Sequence, residues 1–246
     1  MNARHDIGGT LGGVLYKDVK RAILSALAQG EWKPGAAIPS ERQLTGRFGV
    51  SIGTLRKAID ELVAEGIIVR HQGRGTFVAT HRQEEHFFRF FRIARKDGHR
   101  EYPTVRLVRF RRGRADAQEA RHLQLESSAP VFRFTNLLSL GGEPVVVDAI
   151  TVPEKHFQAL TERQLRDRPS TLYNFYQDAF GINVIRTEEH LSAIVADAAD
   201  QELLGVPAGS PIMEIHRIAS SYNDERVEFR ISHVDTRNHE FLLSQP

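Results

Sequence analysis

The chain has 246 residues, 41% of them hydrophobic and 26% charged, with a net charge of +2 at pH 7 and no cysteine. That composition excludes disordered, collagen-like and coiled-coil proteins and fits one large domain or two modest ones. It also excludes disulfides, thiolate metal sites and cysteine nucleophiles. No run approaches the ~18 apolar residues of a membrane span. The polar, Gly-rich residues 1–10 lack the apolar core of a signal peptide, so a cytoplasmic protein with no membrane partner is expected.

The small net charge conceals an asymmetry. Residues 1–80 carry 11 basic and 7 acidic side chains, a balance of +4. Residues 81–114 carry 11 and 4, or +7, and residues 115–246 carry 11 and 20, or −9. A basic N-terminal half suits a polyanionic partner, because phosphate contacts draw on Lys and Arg. An acidic C-terminal half points to a second domain with a different partner.

In chain order, Val19, Ile23, Leu24 and Leu27 fall at helical spacing and predict a helix over 15–29, stopped by Gly30. Ser40-Glu41-Arg42-Gln43 is a capping box that opens a second helix, and Gly49 suits its left-handed C-cap. Ser51 reads as the N-cap of a third helix bearing Leu55, Ile59, Leu62 and Val63. Residues 67–70 and 76–79 then read as a hairpin around Gly73-Arg74-Gly75. Three helices and a hairpin outline a winged helix-turn-helix, with residues 1–12 expected to be disordered. Ser51, Gly53, Thr54, Arg56 and Lys57 crowd the start of the third helix, the end with which a recognition helix meets base edges and phosphates. Arg70, Gln72 and Arg74 surround a hairpin tip suited to a minor groove.

Residues 81–101 read as a linker in which aromatics alternate with arginines. Beyond it, strands are predicted over 104–114, 131–140, 143–152, 182–196, 211–219 and 226–235, and helices over 116–123, 160–165, 171–180 and 198–204. Antiparallel strands interspersed with helices indicate an α+β domain. Gly141-Gly142 supplies the positive φ of a tight hairpin. If those two residues form the loop, Arg133 sits opposite Ile150 and Thr135 opposite Asp148, putting Arg133 and Asp148 on one sheet face. In the last hairpin, Arg217, Glu228 and Arg230 share a face, with Val227, Phe229 and Ile231 on the other. Two such charged clusters need water, mutual pairing or a polar ligand.

The strings Ile38-Pro39-Ser40-Glu41-Arg42, Phe48-Gly49-Val50-Ser51, Thr54-Leu55-Arg56 and Gln72-Gly73-Arg74-Gly75-Thr76-Phe77-Val78 resemble the GntR-family winged-helix domain. The resemblance implies DNA contacts from Ser40, Arg42, Ser51, Gly53, Thr54, Arg56, Lys57, Arg70, Gln72, Gly73, Arg74 and Gly75. It departs from the family at Ile52, where an arginine that contacts DNA commonly stands. Gly142-Glu143-Pro144-Val145, Asp148, Leu172-Tyr173, Leu204-Gly205-Val206 and Val227-Glu228 are similar to the UTRA effector-binding domain of the HutC-type branch, whose fold is similar to chorismate lyase. That likeness implies a homodimer and effector contacts from Arg133, Asp148, Thr171 and Glu228. Arg186 and Arg230 are added as cations that could hold an anionic effector.

The expected architecture is thus α+β: a winged helix-turn-helix over 1–80, a linker over 81–101, and an antiparallel sheet with helices over 102–246. The expected function is a ligand-responsive repressor, released from a palindromic operator in double-stranded DNA by a small polar metabolite. The alternatives are a metal-responsive regulator or an enzyme of chorismate-lyase-like fold. Nothing resembles a nucleophile elbow or a phosphate loop. The 11 histidines are scattered: only His81 and His86 lie close, and no spacing of a closed metal site appears. No catalytic residue, metal or cofactor is expected.

Overall fold

The computed structural model describes residues 8–81 and 84–243, with side chains from residue 15 onward in the first helix and from residue 87 onward in the fourth. The chain divides into two compact units, one of residues up to Thr80 together with Tyr222–Asp224, the other of His81–Ser221 and the residues from Glu225 onward.

The first unit contains α1 (Gly8–Ala28), α2 (Glu41–Phe48), α3 (Ile52–Ala64), β1 (Ile68–His71) and β2 (Gly75–Val78). Helix α1 starts seven residues ahead of the predicted boundary, so residues 8–12, expected to be disordered, are helical; residues 1–7 lie outside the described ones. The apolar stripes predicted from spacing meet in one core: Val19, Ile23 and Leu27 of α1, Leu44 of α2, and Leu55, Ile59 and Leu62 of α3 are buried. The capping box forms as read. The Ser40 hydroxyl accepts from the Gln43 amide at 3.4 Å, and the Gln43 side chain accepts from the Ser40 N–H at 2.9 Å. Gly49 closes α2 at φ +63° and Ser51 caps α3 by accepting from the Thr54 N–H at 3.2 Å. The tight reversal between the two helices therefore rests on one left-handed glycine and one serine cap. The β1–β2 hairpin pairs Ile68 with Val78 and His71 with Gly75.

The second unit is built on a six-stranded antiparallel sheet in the order β4-β5-β6-β9-β8-β7. Its strands are β4 (Thr104–Arg114), β5 (Pro130–Leu140), β6 (Glu143–Pro153), β7 (Arg186–Val195), β8 (Pro211–Ser220) and β9 (Arg226–Val234). A two-stranded sheet pairs β3 (Ile93–Arg95) with β10 (His239–Phe241). The helices are α4 (Glu84–Phe90), α5 (Ala117–Leu123), α6 (Glu162–Arg166), α7 (Leu172–Phe180) and α8 (Ala198–Leu204). Phe132, Phe134, Ile150 and Val152 on one sheet face pack with Phe90 of α4, Leu165 of α6 and Tyr176 of α7. On the opposite face Ile218 and Phe229 pack with Leu123 of α5, and Leu137, Val147 and Ile212 with Leu204 of α8.

Two expectations are corrected here. The segment 81–101 is part of the second unit rather than a linker: it holds α4 and β3, with Phe90, Ile93 and Ala94 buried. Phe87, Phe90 and Phe91 fall at i, i+3 and i+4, which is the helical period rather than the alternation of a strand. The second correction concerns register. Gly141 and Gly142 do form the loop, at φ +57° and +84°, and Leu140 pairs with Glu143. A bulge at Val145 then shifts every later pair by one residue, so Arg133 faces Thr151 and Asn136 faces Asp148. A one-residue slip sends side chains to the other face, and Arg133 and Asp148 consequently lie on opposite sides of the sheet.

Candidate functional site

On the first unit, Arg42 of α2, Ser51, Gly53, Arg56 and Lys57 at the start of α3, and Arg70, Gln72, Gly73, Arg74 and Gly75 of the hairpin are all exposed. Thr54 is half-buried, its hydroxyl 2.9 Å from that of Ser51. Ser40 and Ser51 serve as helix caps. The basic side chains are held by neighbours: Arg56 by Glu41 at 2.9 Å, Arg70 by Asp60 at 2.6 Å, and Lys57 over the Tyr16 ring at 4.2 Å. Arg56 and Arg70 carry exposed, strongly screened pairs, which exchange for phosphate contacts at little cost. Ile52 is 44% exposed at the first position of α3, a large apolar side chain on the surface. Among the described residues a Cβ added at Gly53 would meet only the Ser51 hydroxyl, at 3.9 Å, which leaves the helix start open to close approach. Gly73 and Gly75, at φ +72° and +109°, hold the hairpin tip in backbone that favours glycine.

In the second unit a cavity of about 650 Å³ lies over the sheet face that carries α4 and α7. Its floor includes Asn136 of β5, Asp148 of β6, Arg217 of β8 and Arg230 of β9. Its walls include Phe87 and Phe90 of α4, Tyr102, and the segment from Arg166 through the first turn of α7. The expected clustering of Arg217, Glu228 and Arg230 on one face is present. Arg230 donates to Asp148 and to Glu228, each at 2.9 Å, and Ser232 donates to Asp148 at 2.5 Å. Arg217 donates to Glu189 at 2.6 Å and to the Phe90 carbonyl at 2.7 Å.

Burial opposes the charge on Arg230, but Glu228 and Asp148 more than offset it and hold its pKa well above the arginine range. Burial first, then Glu228, raises Tyr173 and Tyr176. Both phenols stay protonated and donate to Glu228, at 3.1 and 2.8 Å. Arg168, which also lines the cavity, is lowered by burial and by the nearby charge of Arg230.

Of the six side chains singled out for an effector, three reach the cavity: Asp148, Thr171 and Arg230. Thr171 is the N-cap of α7 yet makes no capping hydrogen bond with its hydroxyl. Glu228 is 0% exposed and sits beneath the floor, where it takes both tyrosine hydroxyls and Arg230; it positions the floor rather than touching the cavity. Arg133 is on the opposite face, donating to buried Glu119 at 2.6 Å and to the Arg114 carbonyl at 2.7 Å. The displaced register is the physical reason. Arg186 stands on edge strand β7, exposed, 3.6 Å from Glu188, on the face opposite the cavity.

Sequence reasoning missed Asn136, Asn174 and Arg168 as cavity residues. A signal existed for Asn136: along β5 the inward series Phe132, Phe134, Asn136, Leu138 is apolar at every position but one. Among the described residues no group of three or more His, Asp or Glu side chains could hold an ion. Nor, among those residues, is any helix long and apolar enough to cross a membrane.

Residues 15–78 match the family described as bacterial regulatory proteins, gntR family, and residues 99–240 match the UTRA domain. The histidine utilization repressor of Klebsiella aerogenes is 30% identical, over 82% of this chain and 83% of its own. The probable fructoselysine utilization operon transcriptional repressor of Escherichia coli (strain K12) is 28% identical over 87% of each. Among solved structures, PhnF from Mycobacterium smegmatis superposes with a TM-score of 0.53 at 25% identity, covering 90% of this chain and 96% of that one. The ligand-binding domain of a regulator assigned to the GntR family from Bordetella bronchiseptica gives 0.60 at 30% identity, covering 63% and 96%. The chain belongs to the gntR family of bacterial regulatory proteins, as a DNA-binding transcriptional regulator with a UTRA domain rather than an enzyme.

Proposed function

We propose that the protein is a cytoplasmic, homodimeric repressor that leaves a palindromic operator when a small polar metabolite occupies the cavity of its second unit. The observation that carries this reading is the pairing, in one chain, of an exposed recognition-helix start with a polar-floored cavity. In the dimer, two copies of α3 enter successive major grooves through residues 51–57, and the two hairpins place Arg70, Gln72 and Arg74 at flanking minor grooves. Arg42 and the Ser40 end of α2 lie toward the phosphates. The family relatives support the repressor assignment, since those compared above are named for repression of histidine and fructoselysine utilization. Among the residues first singled out for the effector, Asp148, Thr171 and Arg230 retain that assignment. A metabolite can shift the DNA-binding equilibrium only by its differential affinity for two states of the dimer.

The test is a binding titration against a duplex from the protein's own promoter region, at two salt concentrations with scrambled competitor. Tight, sequence-specific binding that weakens with salt supports the reading, and metabolites can then be screened for release. Binding no tighter than to the scrambled duplex refutes it.

A further inference from the structure

Among the described residues four arginines line the cavity, and three have a carboxylate partner: Arg166 with Glu162, Arg217 with Glu189, and Arg230 with both Asp148 and Glu228. Arg168 has none among the described residues; its guanidinium donates only to the Leu165 carbonyl. It is half-buried; burial, and after it the charge of Arg230, disfavours its ionised form, and Tyr176 and Asp148 offset this only in part. An unpaired guanidinium in a partly desolvated site is costly unless an anion joins it. Two further groups await partners. The Oδ1 atoms of Asn136 on the cavity floor and Asn174 on its wall, residues only 2% and 7% exposed, accept no hydrogen bond among the described residues. Buried polar atoms are rarely left so.

Resting on the effector reading above, we propose that the cavity takes a small hydroxylated metabolite bearing an oxyanion, with Arg168 meeting the anion and Asn136 and Asn174 meeting the hydroxyls. An amide offers either its oxygen or its NH2, and a hydroxyl both donates and accepts, so polyol groups complement both asparagines. A cationic amine would meet Arg168 without a carboxylate to join, since the cavity's Asp148 is already held by Arg230 and Ser232. The rings of Phe87, Phe90 and Tyr102 supply apolar wall for the carbon skeleton, and the volume suits a small molecule. Carboxylate and phosphate ester share the oxyanion chemistry, and paired probes separate them.

The experiment uses the full chain, following thermal midpoint and Kd with gluconate, glucose 6-phosphate, glucose, glucosamine and inorganic phosphate at equal ionic strength. One or both of the first two are expected to bind and raise the midpoint, gluconate alone marking a carboxylate and glucose 6-phosphate alone a phosphate ester. Glucose and glucosamine should leave it unchanged, and inorganic phosphate should bind far more weakly. Arg168→Met should weaken the binding probe at least tenfold, with Arg168→Lys recovering part of the loss. Without any ligand, Arg168→Met, Asn136→Leu and Asn174→Leu should each raise the midpoint, because groups kept for a ligand are held at the expense of the empty protein. Three results would overturn the proposal: equal or better binding of glucose or glucosamine, an unchanged Kd in Arg168→Met, or no response to either anionic sugar. Lower midpoints in all three empty variants would likewise make these residues structural and overturn it. Operator binding is scored separately: a chain that binds DNA but ignores oxyanions sinks this proposal alone, and one that binds them but not DNA sinks the regulator reading.

Discussion

Replacing Arg133 by Met isolates the structural role that the observed register assigns to it. The Glu119 carboxylate, 6% exposed, accepts from Arg133 Nε at 2.6 Å, from the Thr151 hydroxyl at 2.9 Å and from the Asp116 N–H at 2.9 Å. Removing the cation leaves a buried carboxylate with two neutral donors. Breaking a buried pair in this way costs about 3–5 kcal/mol. The side chain of Arg133 is 18% exposed, and the two surviving hydrogen bonds compensate further, so we expect about 2–3 kcal/mol. For a unit of this size that lowers the midpoint by about 5–10 °C. The measurement is calorimetric unfolding, reading the second unit's transition separately because a two-unit chain need not unfold in one step.

The same variant carries a pH signature. Burial raises Glu119, but hydrogen bonds from Arg133, the Asp116 amide and Thr151 outweigh it and leave its folded pKa below the ordinary value. A carboxylate depressed in the folded state contributes stability above its unfolded pKa of about 4.3 and loses it as pH falls through the folded value. The gap between wild type and Arg133→Met should therefore narrow as the pH drops below about 4. Loss of the effector response at unchanged stability would refute the assignment and return Arg133 to the ligand.

Four further expectations follow from the same geometry. Arg56→Ala should weaken operator binding by about 1–3 kcal/mol at fixed salt if the side chain reads a base. Its exposed Glu41 pair should contribute little, so the thermal midpoint stays put, and unchanged DNA affinity would remove Arg56 from the interface. Ile52→Arg should steepen the salt dependence of DNA binding by about one counterion-release unit, and an unaltered slope would show that α3 does not present this position to phosphate. Tyr176→Phe deletes a 2.8 Å donor to buried Glu228 and should cost about 1.5–3 kcal/mol in urea unfolding; a cost near zero would mean the phenol is dispensable. At Gly113 an added Cβ would lie 2.6 Å from Arg133 Nη1. Because Glu119 holds that guanidinium, Gly113→Ala should destabilise by about 1–3 kcal/mol, and wild-type stability would show that the pair moves freely.

The local grammar of the first unit was legible from its residues. Ser40 with Gln43, Gly49 and Ser51 specify two helices and the reversal between them through neighbours at most five residues apart, and the apolar stripes follow the helical period. From β4 to β9 the strand and helix order of the second unit was legible for the same reason, because side-chain alternation and turn glycines act over a few residues; α4, β3 and β10 were not. The Gly141-Gly142 loop was placed correctly, yet one bulge at Val145 decided which charges meet across β5 and β6. Sequence spacing cannot register such a bulge, since it is fixed by packing on both sheet faces at once. Arg133 therefore moved from the cavity to Glu119, while Asn136, the one polar position in the inward series of β5, became part of the floor. Glu228 and Arg230 were recognised as sharing a face, because parity survives a shift of two residues. Which of them touches the cavity depended on Tyr173 and Tyr176, more than 50 positions away, closing over the carboxylate. Sequence alone determined the family and the caps and apolar stripes that build the first unit; the tertiary structure decided which side chains line the cavity, because strand register and packing join residues far apart in the chain.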